Sequence, residues 1–257
     1  LSRDHIDYHK NFKDYLNSKL KLFNELLDFN SNIIFDENIK ESRILNRISK
    51  KKNLKKFNLG RSKSFIFIKN VKKINEKKKI DITINKKDYC FETSLIGDIQ
   101  IKNLILAIIA AYLSGLKIDN ILKIINKIKP IDGRFEKIGK LKNKAKIILD
   151  YAHTPHALKT LLINIKKDFP LSKISLVFGC GGNRDENKRS MMGIIARNYC
   201  NNIYLTDDNP RFESPKLIRD QVKKGLKIKK FFEIPSRTKA INNAIKDLKA
   251  GDILIVA

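Results

Sequence analysis

The sequence predicts an α/β protein in two domains, the second built on a mostly parallel sheet covered on both faces. Three observations lead there. After Pro130, short apolar runs alternate regularly with segments of helical periodicity. Pro130 itself breaks an apolar helical pattern and marks the boundary, giving domains at 1–129 and 130–257. Three polar clusters, DYAHTP (150–155), GCGGNRD (179–185) and TDDNPR (206–211), each follow one of the apolar runs. In a parallel sheet they land on one edge, beyond the carboxyl ends of the strands, where ligands bind.

Taken in order, Phe12, Tyr15, Leu16, Leu20, Phe23, Leu26 and Leu27 recur at helical spacing and predict a helix over 12–29. A short strand follows at 33–35. Residues 40–60 are polar and basic, and their weak periodicity assigns no element. Residues 65–68, 81–84 and 89–95 read as strands, with a loop of lysines between the first two. An apolar helix over 101–114 is closed by Gly115, and Asp119 caps another that runs to Lys129. In the second domain strands are predicted at 146–150, 174–178, 202–206, 230–233 and 253–256. Helices are predicted between them at 156–169, 188–198, 215–224 and 238–248.

A chain of 257 residues can bury a substantial core. It contains no run of about 18 apolar residues and opens on no signal-peptide pattern, so a cytosolic location is expected. Cys90, Cys180 and Cys200 are odd in number and lack CxxC spacing, which argues for a reducing compartment and against a zinc ribbon or a disulfide framework. The formal net charge of +27 raises nucleic acid as a partner. Lysine supplies most of that charge, spread along the chain among isoleucine and asparagine, and all three share A/T-rich codons. No nucleic-acid module is recognisable and aromatics are not interleaved with the basic runs. Charge alone predicts only non-specific polyanion binding. The chain begins with Leu1 and stops at GDILIVA after an apolar run, and both ends are expected to be cut.

The chemistry sits in the clusters. Glycines at 179, 181 and 182 stand between a strand and a helix, where they either let backbone N–H groups crowd an anion or allow close packing. The pattern is neither GxGxxG nor GxxxxGK[ST]. Arg184 and Arg211 are arginines in a chain that uses lysine almost everywhere. Their planar fork suits a carboxylate, and Asp208 with Asn209 could meet the ammonium beside it. Asp208 could equally pair with Arg211 inside the loop. Asp150 and His153 could be acid–base partners, or a strand-end turn that caps the next helix.

LSRDHIDYH, NSKLKLF, DGRFE, DYAHTPHALK, VFGCGGNRDENKRSMMG and LTDDNPR stand in the order found in Mur ligases. The chain resembles the branch of that family that adds meso-2,6-diaminopimelate. The resemblance runs over essentially the whole chain and is weakest over 40–89. It implies the later part of a central ATPase domain followed by a Rossmann-like C-terminal domain with a mostly parallel sheet. It also implies a monomeric, ATP-dependent amide ligase of peptidoglycan synthesis. ATP phosphorylates the D-glutamate carboxylate of UDP-MurNAc-L-Ala-D-Glu, and the amine of diaminopimelate displaces phosphate from the acyl phosphate.

By position, the resemblance makes His5 a ligand of Mg2+ and Lys19 the lysine that is carbamylated to support that metal. It sets Asn103 on adenine, Arg134 and Asp150 on the nucleotide, and His153 beside the chemistry. Arg184, Asp208, Asn209, Pro210 and Arg211 become the meso-diaminopimelate pocket. Gln100 stands where the family usually has asparagine. The N-terminal UDP-binding domain, a GTxGKT-type phosphate loop and a GKGHE segment are not found, so a fragment is expected, active only when the rest is supplied. The rivals are a degraded fragment of that enzyme, folded in part but without catalysis, which the absent phosphate loop favours, and, within the family, a folylpolyglutamate synthetase-like ligase, which DNPR disfavours.

Overall fold

Two sheets organise the chain, one in each of two compact units, Asn11–Pro130 and Ile131–Ala257. The computed structural model describes residues 8–141, 143–227 and 230–257.

In the first unit α1 (Phe12–Lys21) starts at Asn11, whose side chain accepts the Asp14 N–H, and passes into a π-helical turn at Leu22–Leu26. The helix therefore ends short of the predicted 29. Lys52 Nζ donates to the carbonyls of Asn24 (3.2 Å) and Leu27, satisfying oxygens the helix end leaves open. Residues 40–60, which the sequence left unassigned, hold α2 (Ser42–Lys51) and β2 (Lys55–Gly60). Only Leu45 and Ile48 give α2 a buried apolar face, too short a signal among basic residues, and packing on Ile33 and Phe35 of β1 (Asn32–Asp36) decides it.

Strands β1, β2 and β3 (Ile66–Ile74) run parallel. β3, β4 (Lys77–Ile84) and β5 (Lys87–Thr93) form an antiparallel meander. The expected lysine loop is strand instead: β3 and β4 pair through to Ile74 and Lys77, so that Lys72 stands opposite Lys79. Solvated lysine heads do not prevent backbone pairing. Positive φ at Asn75 serves the first tight turn, and Asn85 and Lys86 share it at the second, as two-residue hairpins require. α3 (Asp98–Leu113) lays Ile101, Ile105 and Ile109 on Ile66, Ile80 and Ile82. α4 (Ile118–Ile124) runs into a 3-10 turn at Ile125–Lys127. Its N-cap is Lys117, so Asp119 sits inside the first turn rather than capping it.

The second unit holds a six-stranded sheet in the order β10-β9-β8-β11-β7-β6, with β6 (Glu136–Lys140), β7 (Lys146–Leu149), β8 (Ile174–Phe178), β9 (Asn202–Leu205), β10 (Phe232–Glu233) and β11 (Ile253–Val256). All neighbours are parallel except β6 on β7. The sequence missed β6, whose short run is interrupted by a register shift between Lys137 and Gly139. It overran β10, which is only two residues long. Every residue of β8 and β11 is buried, as expected of strands covered on both faces.

Helices α5 (Pro155–Asp168), α6 (Asn187–Tyr199), α7 (Pro215–Leu226) and α8 (Arg237–Lys246) connect the strands. Ala240 and Ala244 of α8 pack on Val177, Tyr204 and Leu254. α6 meets α7 backbone to backbone: a Cβ at Gly193 would strike the Val222 carbonyl, and one at Gly225 the Ser190 carbonyl. Among the described residues no helix is long and apolar enough to cross a membrane.

In the first unit, Lys102 of α3 reaches Asp36 at the end of β1, Nζ to Oδ2 2.8 Å. Burial pushes the Asp36 carboxyl up, but hydrogen bonds from Lys102 and Asn38 outweigh it and hold it below the ordinary value. A depressed carboxylate contributes stability that is present above its unfolded pKa, about 3.9. That contribution fades as pH falls through the lower folded value. Asp36→Asn should therefore flatten the acid limb of stability, read by urea unfolding at successive pH values below about 5.

Candidate amino-acid and nucleotide site

Register places the site. Leu149 pairs with Val256, Val256 with Val177, Phe178 with Leu205, and Leu205 with Glu233. The parallel strands therefore end level with one another, and the segments after β7, β8 and β9 emerge on one edge.

After β7, Asp150 is buried and its Oδ2 accepts the Phe135 N–H at 2.9 Å. Phe135 is itself buried with φ of 48°, a left-handed conformation that costs a bulky residue on the order of 1–2 kcal/mol. The carboxylate, with the bond from Tyr151 N to Gly133 O (2.8 Å), clamps this turn onto the strand end. Burial raises the Asp150 carboxyl, while the Phe135 N–H and the Arg134 charge oppose the rise. Arg134 is left exposed over the Tyr151 ring, 5.3 Å to its centroid, and the His153 ring lies 4.9 Å from Tyr151 on centroids. Asp150 and His153 are turned to different partners, since His153 Nδ1 meets the Tyr151 carbonyl at 3.0 Å. The helix cap is Thr154, whose hydroxyl accepts the Ala157 N–H.

After β8 and β9 two loops lie against each other. The Gly182 N–H donates to Asn209 O at 2.8 Å, and Arg211 Nη1 donates to the Gly182 carbonyl. Asn209 Oδ1 accepts the Arg211 N–H at 3.2 Å and Asn183 Oδ1 the Phe212 N–H at 3.0 Å, which fixes Arg211 at φ of 50°. No ion pair joins Asp208 to Arg211 among the described residues; both are exposed, and so is Arg184. Arg184 lines an adjoining open cleft of about 520 Å3 with Asn183, Asp185, Glu186 and Glu213. Asp207 is taken elsewhere, paired with Arg219, which also holds Glu233 at 2.9 Å.

The glycine loop is not a vacant anion nest. Besides the Gly182 N–H, the Asn183 N–H is given to Glu213 and the Asn187 N–H to Asp185 Oδ1 (3.1 Å). Close approach is what the glycine at 182 serves: a Cβ there would overlap the Pro210 carbonyl. Between the loops lies Arg189, 0 % exposed, forked onto Glu213 with both contacts at 2.8 Å and donating to Gly181 O and Gln221. The Arg189 guanidinium, then the Asn183 N–H, hold the Glu213 carboxyl below the usual range. Burial pushes the Cys180 thiol up to about 12, so it stays protonated and is no nucleophile.

In the first unit, Lys19 is exposed in the last turn of α1 with its amine 5.6 Å from the centroid of the Tyr15 ring, and Asn103 lies on the exposed side of α3. His5 lies outside the described residues.

Residues 133–257 match the family model described as Mur ligase, glutamate ligase domain, and residues 1–111 the Mur ligase middle domain. The chain belongs to the Mur ligase family. It is 38% identical over 258 residues to a UDP-N-acetylmuramoyl-L-alanyl-D-glutamate–2,6-diaminopimelate ligase of Rickettsia typhi, covering all of this chain and 51% of that protein. A solved structure of a ligase of the same name, 28% identical, superposes with a TM-score of 0.64 over all of this chain and 53% of its own. MurF ligase of Thermotoga maritima, solved in complex with ADP, shares the fold at 15% identity, with a TM-score of 0.75, 98% of this chain covered and 55% of that one. The chain spans about half the length of the curated relatives it matches.

Within this Mur ligase chain, sequence reasoning missed Arg189 and Glu213. The signal was available, since an arginine inside an otherwise amphipathic helix, in a chain that prefers lysine, suits a buried carboxylate partner. The two loops also separate their glycines by clearance. Gly182→Ala should cost about 1–3 kcal/mol through overlap with Pro210. Gly181→Ala, whose Cβ would sit 3.4 Å from the nearest atom, should stay within about 0.5 kcal/mol of the parent in urea unfolding.

Proposed function

We propose that the chain forms the central ATP-binding part (1–129) and the C-terminal amino-acid-binding part (130–257) of an ATP-dependent ligase that adds meso-2,6-diaminopimelate to UDP-MurNAc-L-Ala-D-Glu. The observation that carries this reading is Arg211: exposed, held by Asn209 of its own loop and Gly182 of the facing one, and set beside the cleft that holds Arg184. Two exposed arginines, one of which also donates Nη1 to the Gly182 carbonyl, suit the carboxylates of an amino acid with two head groups, and exposed Asp208 and Asn209 suit an ammonium. L-lysine ends in a bare ammonium and offers a single carboxylate to the two arginines.

At the other end of the same edge, Arg134 and His153 stand exposed over Tyr151, where a polyphosphate would meet a cation held in place by ring contact. Asp150 acts through the turn it clamps, which sets the Arg134 backbone. In the ligase reaction a carboxylate oxygen attacks the terminal phosphoryl group of ATP, the bond to the β-phosphate oxygen breaks, and ADP leaves. The substrate amine then attacks the acyl carbon, phosphate leaves, and the amine sheds a proton. Cationic side chains lower the barrier by facing charge that builds on the transferring group. Mg2+ belongs to the same reading. The exposed Lys19 amine is accessible to carbon dioxide, and the resulting carbamate would offer oxygen, the donor Mg2+ prefers.

Isothermal titration with meso-diaminopimelate and with L-lysine, on the protein as its gene encodes it, tests the assignment. The first should bind and the second bind much more weakly. Arg211→Ala should weaken meso-diaminopimelate by about 1.5–3 kcal/mol, the range for a charged hydrogen bond rather than a buried pair, because the side chain is exposed. Equal affinities, or an unaffected variant, would refute the pocket.

A further inference from the structure

We infer that Arg189 and Glu213 form a positioning pair that sets the distance between the loop carrying Arg184 and the loop carrying Arg211, and so tunes affinity for the amino-acid substrate. This deepens the ligase reading above and rests on it. Arg189 lies on α6 and Glu213 in the loop before α7, so their bond joins the two substrate-facing segments directly. Each end is tied further. Arg189 also holds the Gly181 carbonyl (3.2 Å) in the first loop and Gln221 on α7, while Glu213 takes the Asn183 N–H, one residue before Arg184. The Asn183 side chain in turn accepts the Phe212 N–H, one residue after Arg211.

A closed circuit therefore runs from Arg189 through Glu213, Asn183 and Phe212. Arg184 and Arg211 are neighbours of its members; Arg189 is fully buried behind them, while Glu213, mostly buried on Arg189, shows one edge to the cleft. The fork-to-fork geometry matters because two parallel bonds fix the planes of both groups, which a single bond leaves free to rotate. The backbone contact of α6 with α7 at Gly193 and Gly225 gives the circuit a rigid base. Without the pair, Gly182 and Pro210 still limit how near the loops come, and single bonds from Gly182 to Asn209, from Arg211 to Gly182 and from Phe212 to Asn183 are left to limit how far they part.

The test uses the protein as its gene encodes it, with meso-diaminopimelate and ATP as probes. Glu213→Gln keeps the size and removes the charge; KM for meso-diaminopimelate should rise about tenfold or more while KM for ATP moves by less than about twofold. Glu213→Asp keeps the charge and should recover part of that loss, whereas a side chain needed only to fill space would favour Gln over Asp. Amide exchange over 179–187 and 207–214 should quicken in the Gln variant and stay unchanged in α3. If the Gln variant keeps KM for meso-diaminopimelate within about twofold while Arg211→Ala raises it, this inference falls and the substrate assignment stands. If the unaltered protein does not prefer meso-diaminopimelate to L-lysine, both fall. Should the Gln variant not fold, Arg189→Lys, which keeps the charge and loses the fork, decides the matter by the same measurement.

Discussion

The Pro210 carbonyl occupies the space a side chain at Gly182 would need, and much of this edge of the sheet depends on that contact. The loop after β8 and the loop after β9 meet at zero clearance, so each is the other's support. Neither could hold its conformation alone: Asn183 and Arg211 both sit at positive φ, near 50°, where residues with a Cβ rest only when surrounding bonds over-determine them. Those bonds come from across the gap. The bond from the Gly182 N–H to Asn209 O and that from the Phe212 N–H to Asn183 are as much part of the site as the guanidiniums they present.

The same logic operates at the opposite end of the edge with a different device. There the strained residue is Phe135, and the restraint is a buried carboxylate rather than a paired loop. Asp150 is desolvated, and its burial fixes two objects, the turn at 131–135 and the exposed Arg134 above Tyr151. A polar residue at a strand end can thus serve the site while facing away from it.

Much of the second unit was legible because parallel strands covered on both faces must be continuous apolar runs, and β8 and β11 are. What escaped was β6, a short antiparallel edge with a register shift, where neither periodicity nor apolar content is strong. In the first unit the sequence failed where charge masks pattern. α2 has too few apolar residues to announce itself, and lysines in β3 and β4 suggested a loop although backbone pairing ignores solvated heads. Arg184, Asp208, Asn209 and Arg211 could be placed on one edge because edge position follows from strand order alone. Arg189 stood out by residue type, but its partner Glu213 did not, because a pairing across 24 residues depends on how α6 meets the loop before α7.

One feature of the first unit sets its response to the medium. On the β3–β4 hairpin Lys72 and Lys79 face each other across paired strands, so like charges repel at short range. Ions in solution damp that repulsion, whereas they weaken contacts between opposite charges such as Lys69 of β3 with Asp88 of β5. Lys77 beside that tip also meets Glu92 of β5, so raising ionic strength relieves one strain in this sheet while it weakens two attractions.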